Sequence, residues 1–199
     1  KKTGAYSLRC NPNSSTGYAD TGVTGVKRES FYLFIVSAPS SDVTIAGVHG
    51  GSSFHLRLTT TREIDLYEST SQRVNGSTVL SLNTWYRISA TVNTTDGHAY
   101  YWINGTAEGD YDGTATDCGV RYVGFNGVNQ TGEIYIDDVV HDNTTGSTTD
   151  IGDIRCAAVA LPNAEGDSIA FDTLAPTSPT THYTKYDDPA GGIDDADYV

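Results

Sequence analysis

A chain of 199 residues, 37% of them hydrophobic, is long enough for one sizeable core, and all-β sandwiches commonly use about 200 residues for a single domain. Aspartate and glutamate outnumber lysine and arginine by 25 to 12, and this acidic excess repels nucleic-acid phosphates, so no nucleic-acid partner is expected. No window approaches the roughly 18 consecutive apolar residues of a membrane span, and residues 1–6 lack the apolar centre of a signal peptide, so no membrane contact is expected.

Short segments that alternate apolar and polar residues follow one another along the chain. Leu56 and Leu58, for example, alternate with His55 and Arg57. This period of two, without a helical period, predicts stacked antiparallel sheets. Turn residues at 96–97, 104–105 and 126–127 agree with short strand connections. The predicted strands span residues 5–10, 30–36, 43–48, 53–58, 63–67, 84–92, 98–103, 120–125, 133–140 and 154–160.

The alternation also predicts core positions and a domain boundary. We expect a sandwich over residues 1–160 and an extended C-terminal arm or linker over 161–199, where prolines and a run of aspartates replace the alternation. The chain contains no methionine, so we expect it to be a piece of a longer protein with a further region beyond the arm. The residues predicted to be buried are Leu56, Leu58, Ile64, Leu66, Ile88, Val92, Ile134 and Ile136.

Glu63, Asp65 and Glu68 form the pattern Glu-x-Asp-x-x-Glu. The pattern resembles that of laminarinase-type β-glucan hydrolases, which implies Glu63 as nucleophile, Asp65 as the residue that tunes it, and Glu68 as acid/base, brought to the same face by a bulge. Retaining glycoside hydrolysis requires two carboxyl groups about 5 Å apart. In the alternative, Ile64 and Leu66 face the core of an ordinary hairpin and the charges face water. We expect the alternative, in which Glu63 and Glu68 are not a catalytic pair.

Asp137 and Asp138 are candidate Ca²⁺ ligands through their carboxylate oxygens, with Asp142, Asp110 or Asp112 as further ligands. In the alternative, which we favour, Asp138 caps a turn by bonding backbone N–H groups and Asp137 points to solvent. No other cofactor is expected, because the histidines show no metal spacing. The three cysteines, Cys10, Cys118 and Cys156, also lack close spacing, and we expect buried reduced thiols.

Four aromatic residues are candidates for a carbohydrate-binding platform: Tyr100, Trp102, Tyr111 and Tyr122. In the alternative, which we favour, they are core residues or cross-strand pairs.

Two stretches carry a resemblance to known families. The sequences NTWYRI at residues 83–88 and YYWING at 100–105 resemble a laminin-G-like pattern, which implies a concanavalin-A-like jelly roll. The sequences IDDV at 136–139, GS at 146–147, GDIR at 152–155, LPN at 161–163 and GD at 166–167, followed by a Tyr- and Asp-rich ending at 183–199, resemble in their order a group of tailed-bacteriophage virion structural proteins.

That resemblance implies a non-enzymatic structural protein on the capsid or tail, located in the virion and assembled in the host cytoplasm. Its partners would be other virion subunits in a homo-oligomer or symmetric lattice, with the C-terminal arm as connector and a host surface glycan as a further ligand. The alternative is a secreted carbohydrate-binding module or a laminarinase-like hydrolase that uses Glu63, Asp65 and Glu68.

Overall fold

The described part of the chain contains twelve β-strands in two antiparallel sheets and no helix. The computed structural model describes residues 7–11, 15–20, 25–47, 53–93, 95, 97–114, 118, 122–143 and 148–152, and side chains at 15, 16, 20, 122 and 126–130 are outside that description. The strands are β1 (Leu8–Cys10), β2 (Ser15–Asp20), β3 (Arg28–Ser37), β4 (Val43–Ala46), β5 (Phe54–Leu58), β6 (Ile64–Glu68), β7 (Ser71–Val74), β8 (Trp85–Asn93), β9 (His98–Ile103), β10 (Thr106–Asp112), β11 (Tyr122–Gln130) and β12 (Glu133–Asp142).

Each sheet has six strands. Sheet 1 has the order β1-β12-β3-β8-β9-β10, and sheet 2 has the order β2-β11-β4-β5-β6-β7. All pairs are antiparallel, and one buried cluster contains side chains from both sheets. The predicted fold class, an all-β jelly-roll sandwich of two antiparallel sheets, is therefore confirmed. The predicted arm and Cys156 lie outside the described residues.

The core lies between the two sheets. All eight residues predicted to be buried are at most 1% exposed. Burial of each such aliphatic side chain contributes about 1.5–3 kcal/mol relative to exposure. A polar contact also joins the sheets, because the hydroxyl of Tyr101 on β9 donates a hydrogen bond of 3.0 Å to the carbonyl oxygen of Ile64 on β6.

The carboxyl group of Glu29 faces this core. Glu29 on β3 has the same orientation as Phe31 and Leu33, is 1% exposed, and leaves its Oε2 without a hydrogen-bond partner. Burial raises the pKa of Glu29 well above its usual range. His141 on β12 is its partner in the strand register, and burial lowers the pKa of this imidazole. The two polar groups thus lie on the same inner face.

Nine of the predicted strands are present, with boundaries shifted by a few residues. Strand β11 continues through residues 126–127, which were predicted as a turn, so that prediction is wrong. The prediction for 154–160 lies outside the described residues. Three strands were missed, and β2, β7 and β10 are all edge strands.

The hairpin turns agree with the sequence. Gly97, between β8 and β9, has a φ of +77°, and its N–H bonds the carbonyl of Asn93. Asn104 and Gly105, between β9 and β10, both have positive φ. These are conformations that Gly and Asn adopt at low steric cost.

A segment over residues 75–80, called the strap, runs beside edge strands β7 and β10. The N–H of Gly76 donates to Asp65 (2.9 Å), and Leu80 is fully buried. A Cβ at Gly76 would lie only 2.4 Å from the carbonyl oxygen of Ile64, so the close approach of the strap requires glycine. The backbone N–H groups and hydroxyls of Ser77 and Thr78 all donate to Glu108 of β10. The strap therefore ties the edges of the two sheets together.

Cys10 and Cys118 are buried and form no disulfide, as predicted. Burial raises the pKa of the Cys10 thiol to about 11. Within the described ranges, no helix is long and apolar enough to span a bilayer.

Candidate functional site

The candidate site lies on the outer face of sheet 1, and a β-bulge in β10 shapes it. Ala107 pairs with Trp102, whereas Gly109 pairs with Tyr101, so Glu108 is an extra residue in β10. A bulge of this kind reverses the alternation of the residues that follow. Asp110, which pairs with Tyr100, consequently points to the outer face, and Tyr111 points inward.

Three rings of β9 form a row on the outer face. The His98 and Tyr100 ring centroids are 4.6 Å apart with planes 10° from parallel, and the Tyr100 and Trp102 centroids are 6.1 Å apart at 20°. The row exists because residues two apart on a strand share a face. The Nε2 atom of His98 lies 2.6 Å from Oδ2 of Asp110, which links the row to the edge strand. Trp102 is only 7% exposed, so Tyr100 is the more accessible large ring.

Residues 148–152 pass over the same face and are fixed by Arg87 on β8. The Arg87 guanidinium pairs with both carboxylate oxygens of Asp150 and donates to the Gly152 carbonyl (3.0 Å). Ser89, which pairs with Trp102 in the register, also donates to Asp150. Burial raises the pKa of Asp150, but the bonds from Arg87, Ser89 and the Gly152 N–H outweigh it and hold this pKa at about 2.

Between the ring row and residues 148–152 lies an open depression of about 420 Å³. Its lining contains two carboxylates and no lysine or arginine. Glu108 is ionised at neutral pH: although burial raises its pKa, the hydrogen bonds from Thr78 and Ser77 lower it below the usual range. The Asp110 side chain is 58% exposed. The residues that line the depression are Tyr100, Tyr101, Trp102, Ala107, Glu108, Gly109, Asp110 and Thr148.

The aromatic residues predicted to form a platform do not all lie on one face of the sheet. Tyr100 and Trp102 lie together in the depression. Tyr111 is on the other face of sheet 1, where its ring is 6.2 Å from that of Phe54 and 4.9 Å from the Arg73 guanidinium carbon. The Tyr122 side chain lies outside the described part of the chain. The bulge at Glu108 is the physical reason that Tyr111 does not join the platform.

Asp137 and Asp138 lie at a second bulge, in β12, where the register with β3 shifts between Asp137 and Val140. The Asp137 carboxylate, predicted to point to solvent, accepts a 2.9 Å hydrogen bond from the Asp138 N–H, and Asp138 adopts a φ of +49°. Asp142 pairs with Arg28. No group of three or more potential metal ligands occurs within the described residues. Asp110 and Asp112 are on β10, which forms one edge of sheet 1. Strand β12 lies at the other side of this sheet, next to the opposite edge strand β1.

Glu63, Asp65 and Glu68 do not assemble into one carboxylate group. The β5–β6 register is continuous, and the bulge beside this segment is in β7, so β6 keeps its alternation. Residues five apart on a regular strand point to opposite faces. Glu63, just before β6, accepts bonds from Thr59 and Thr61. Glu68 is 6% exposed, pairs with Arg73 and accepts the N–H of Thr114.

Asp65 supports the strap. Its two oxygens accept bonds from Gln72 and from the Gly76 N–H. Burial is the largest cause that raises the pKa of Asp65. These contacts assign Asp65 a structural role in this fold.

A second aromatic group lies on the outer face of sheet 1. The Phe34 ring centroid is 5.1 Å from that of Trp85 and 6.1 Å from that of Tyr135. Nearby on this sheet, Arg9 pairs with Glu133 (2.8 Å). None of these three rings lines the depression.

The comparisons with known proteins show the fold. No family model and no curated protein matches the chain. A sialidase from Trypanosoma rangeli matches with a TM-score of 0.53 and 12% identity over 71% of this chain and 26% of its own length. The receptor binding domain of botulinum neurotoxin type G matches with a TM-score of 0.45 and 14% identity, over 66% of this chain and 37% of that one. A galectin from Caenorhabditis elegans matches with a TM-score of 0.39 and 13% identity, over 66% and 96%. The chain thus spans about a quarter of the sialidase.

Sequence reasoning missed part of the site. His98 could have been found from the alternation that singles out Tyr100 and Trp102. Glu108, Thr148 and the Arg87–Asp150 pair carry no recognisable local signal, because tertiary contacts bring them together.

Proposed function

We propose that this chain is a non-catalytic glycan-binding module of a structural protein in a tailed-bacteriophage virion. The observation that carries the glycan proposal is the stacked ring row of β9, which opens into a depression of about 420 Å³ beside an exposed carboxylate. Small-molecule sites commonly occupy about 300–1,000 Å³ and combine aromatic walls with a few polar groups.

The chemistry of a sugar fits this arrangement. A pyranose has a face of C–H groups, which packs on an aromatic ring, and a rim of hydroxyls, which donate hydrogen bonds. Tyr100 supplies the ring and Asp110 supplies carboxylate oxygens on the same outer face. Hydrogen bonds to an ionised acceptor are about twice as strong as neutral ones. The depression therefore offers both contacts within the reach of one sugar.

Binding of an immobilised glycan panel tests this part of the proposal. We expect Tyr100→Ala to weaken binding by at least about tenfold, because it removes the accessible ring. Trp85→Ala is the matched control, since it removes a half-buried aromatic ring from the same sheet face outside the depression. Equal binding by the Tyr100 variant and the unmodified chain would place the ligand elsewhere and refute the assignment.

The virion part of the proposal rests on the sequence resemblance, and the structure describes residues of two of the matching sequences. In IDDV, Asp138 occupies a bulge at positive φ, a conformation that Asp tolerates better than most residues. The nearby GDIR sequence begins at Gly152, whose carbonyl is bound by Arg87.

A symmetric lattice would also suit weak sugar binding. Many copies engaged at once raise the overall affinity by about 10²–10⁴-fold over one site. Immunogold labelling of purified particles, with an antibody against this chain, tests the assignment. We expect labels at regular positions on the capsid or tail. Particles that contain the proteins encoded by the neighbouring genes but bind no antibody would contradict the virion assignment. We also expect these particles to show no glycan hydrolysis that depends on this chain.

A further inference from the structure

The depression on sheet 1 has a charge character that restricts its ligand. Two carboxylates line it directly, those of Glu108 and Asp110. His98 lies against Asp110, and Arg87 is already paired with Asp150. The lining itself contains no lysine, arginine or histidine within the described residues. An incoming anionic group therefore meets fixed negative charge without a free cation to receive it.

The two acids have different roles. Glu108 is occupied by the strap, because its oxygens accept bonds from the backbone and hydroxyls of Ser77 and Thr78. Asp110 is held at one oxygen, Oδ2, by His98. With its side chain 58% exposed, Asp110 is the carboxylate that a ligand can reach.

Resting on the proposed function, we infer that the depression selects uncharged sugars over sugars that carry a carboxylate, sulfate or phosphate, and that Asp110 determines this selectivity. A neutral sugar packs one face on Tyr100 and donates hydroxyl hydrogens to Asp110. An acidic sugar in the same orientation brings its own negative charge close to that of the Asp110 carboxylate in the depression. Unit charges a few ångströms apart near a protein surface repel strongly compared with thermal energy.

Matched glycan pairs test the inference: lactose against its sialylated form, and dextran against carboxymethyl dextran. We expect the unmodified chain to bind the neutral member at least about tenfold more tightly. Asp110→Asn should weaken binding of the neutral member by about tenfold and reduce the preference, because the amide keeps the shape and removes the charge. Asp110→Lys should reverse the preference. Raising the salt concentration should also reduce it.

Asp112→Asn is the matched control, because Asp112 is exposed, lies two residues along the same strand and does not line the depression. It should leave both affinities unchanged. Equal or tighter binding of the acidic members by the unmodified chain, with the Tyr100 dependence intact, would overturn the inference and leave the glycan site standing. Loss of the Tyr100 dependence, or binding to no member, would overturn both. An unchanged preference in Asp110→Asn would exclude Asp110 as the determinant.

Discussion

The inner and outer faces of sheet 1 are made by the same strands but are stabilised in different ways. On the inner face, Leu33, Ile88 and Ile134 are fully buried and held by packing. On the outer face, an ion pair and stacked rings hold the side chains. Packing determines stability in proportion to buried area, whereas polar and aromatic contacts at a surface leave groups available for a ligand. The comparison teaches that the fold and the proposed site depend on alternate residues of the same strands.

The largest effect is expected for Leu33→Ala on the inner face. Leu33 is fully buried, so its truncation removes apolar contacts and leaves a cavity. We expect the free energy of unfolding to fall by about 2–5 kcal/mol. Chemical denaturation measures it, with Leu82→Ala as control because Leu82 is 41% exposed. Equal losses in the two variants would contradict the division between core and surface.

A smaller effect is expected on the outer face for Asp150→Asn. The pKa of Asp150 is held at about 2, below its unfolded value, so its stabilising contribution is present above about pH 4 and is lost as the pH falls towards 2. At pH 7 the variant should be less stable by about 2 kcal/mol. Denaturation across pH should show this difference disappearing near pH 2. A pH-independent difference would indicate lost packing instead of lost charge.

Glu29→Gln tests the buried carboxyl group that lies among apolar side chains on the inner face. Because the folded pKa of Glu29 is raised, its contribution is fully present below the unfolded pKa and is lost as the pH rises through the folded pKa. The variant should therefore gain stability relative to the unmodified chain as the pH rises above the unfolded pKa of Glu29. His141, opposite in the register, remains in both proteins. A stability difference that does not change with pH would show that the folded pKa of Glu29 is not raised.

The smallest effect on stability is expected for Asp110→Asn. The side chain is 58% exposed and contributes a surface contact with His98, which is typically worth less than about 1 kcal/mol. Thermal unfolding should therefore be nearly unchanged while glycan affinity falls. A large loss of stability would show that Asp110 supports the fold.

The sequence predicts inner strands better than edge strands, and the reason is burial. Strands β3, β5 and β8 have neighbours on both sides and pack on the core, so their alternation of large apolar residues is strong. The missed strands β7 and β10 have the sequences SQRV and TAEGDYD, in which few residues need burial. Edge strands keep polar side chains and bulges that limit further pairing. Their backbone pairing is set by a neighbour that a local pattern does not reveal.

The site was predictable only to the extent that it lies on one strand. Tyr100 and Trp102 are two residues apart on β9, so a period of two suffices to place them together. Tyr111 lies on the opposite face because an extra residue in β10 shifts the alternation, and it packs on the core, as in the alternative interpretation. Asp150 reaches Arg87 across 63 positions of sequence, a distance over which a single sequence gives no pairing signal.

The bulge at Glu108 gives β10 an extra residue that the strap uses but that the pairing of β10 with β9 does not require. Deletion of that one residue would leave Asp110 paired with Tyr100 and Tyr111 paired with Ala99, so both side chains would keep their faces. The strap would lose the carboxylate that accepts its hydrogen bonds, whereas the depression would keep Tyr100 and Asp110. Natural variants that differ by a single-residue deletion at this position could thus loosen the link between the edges of the two sheets while the proposed sugar contacts remain the same.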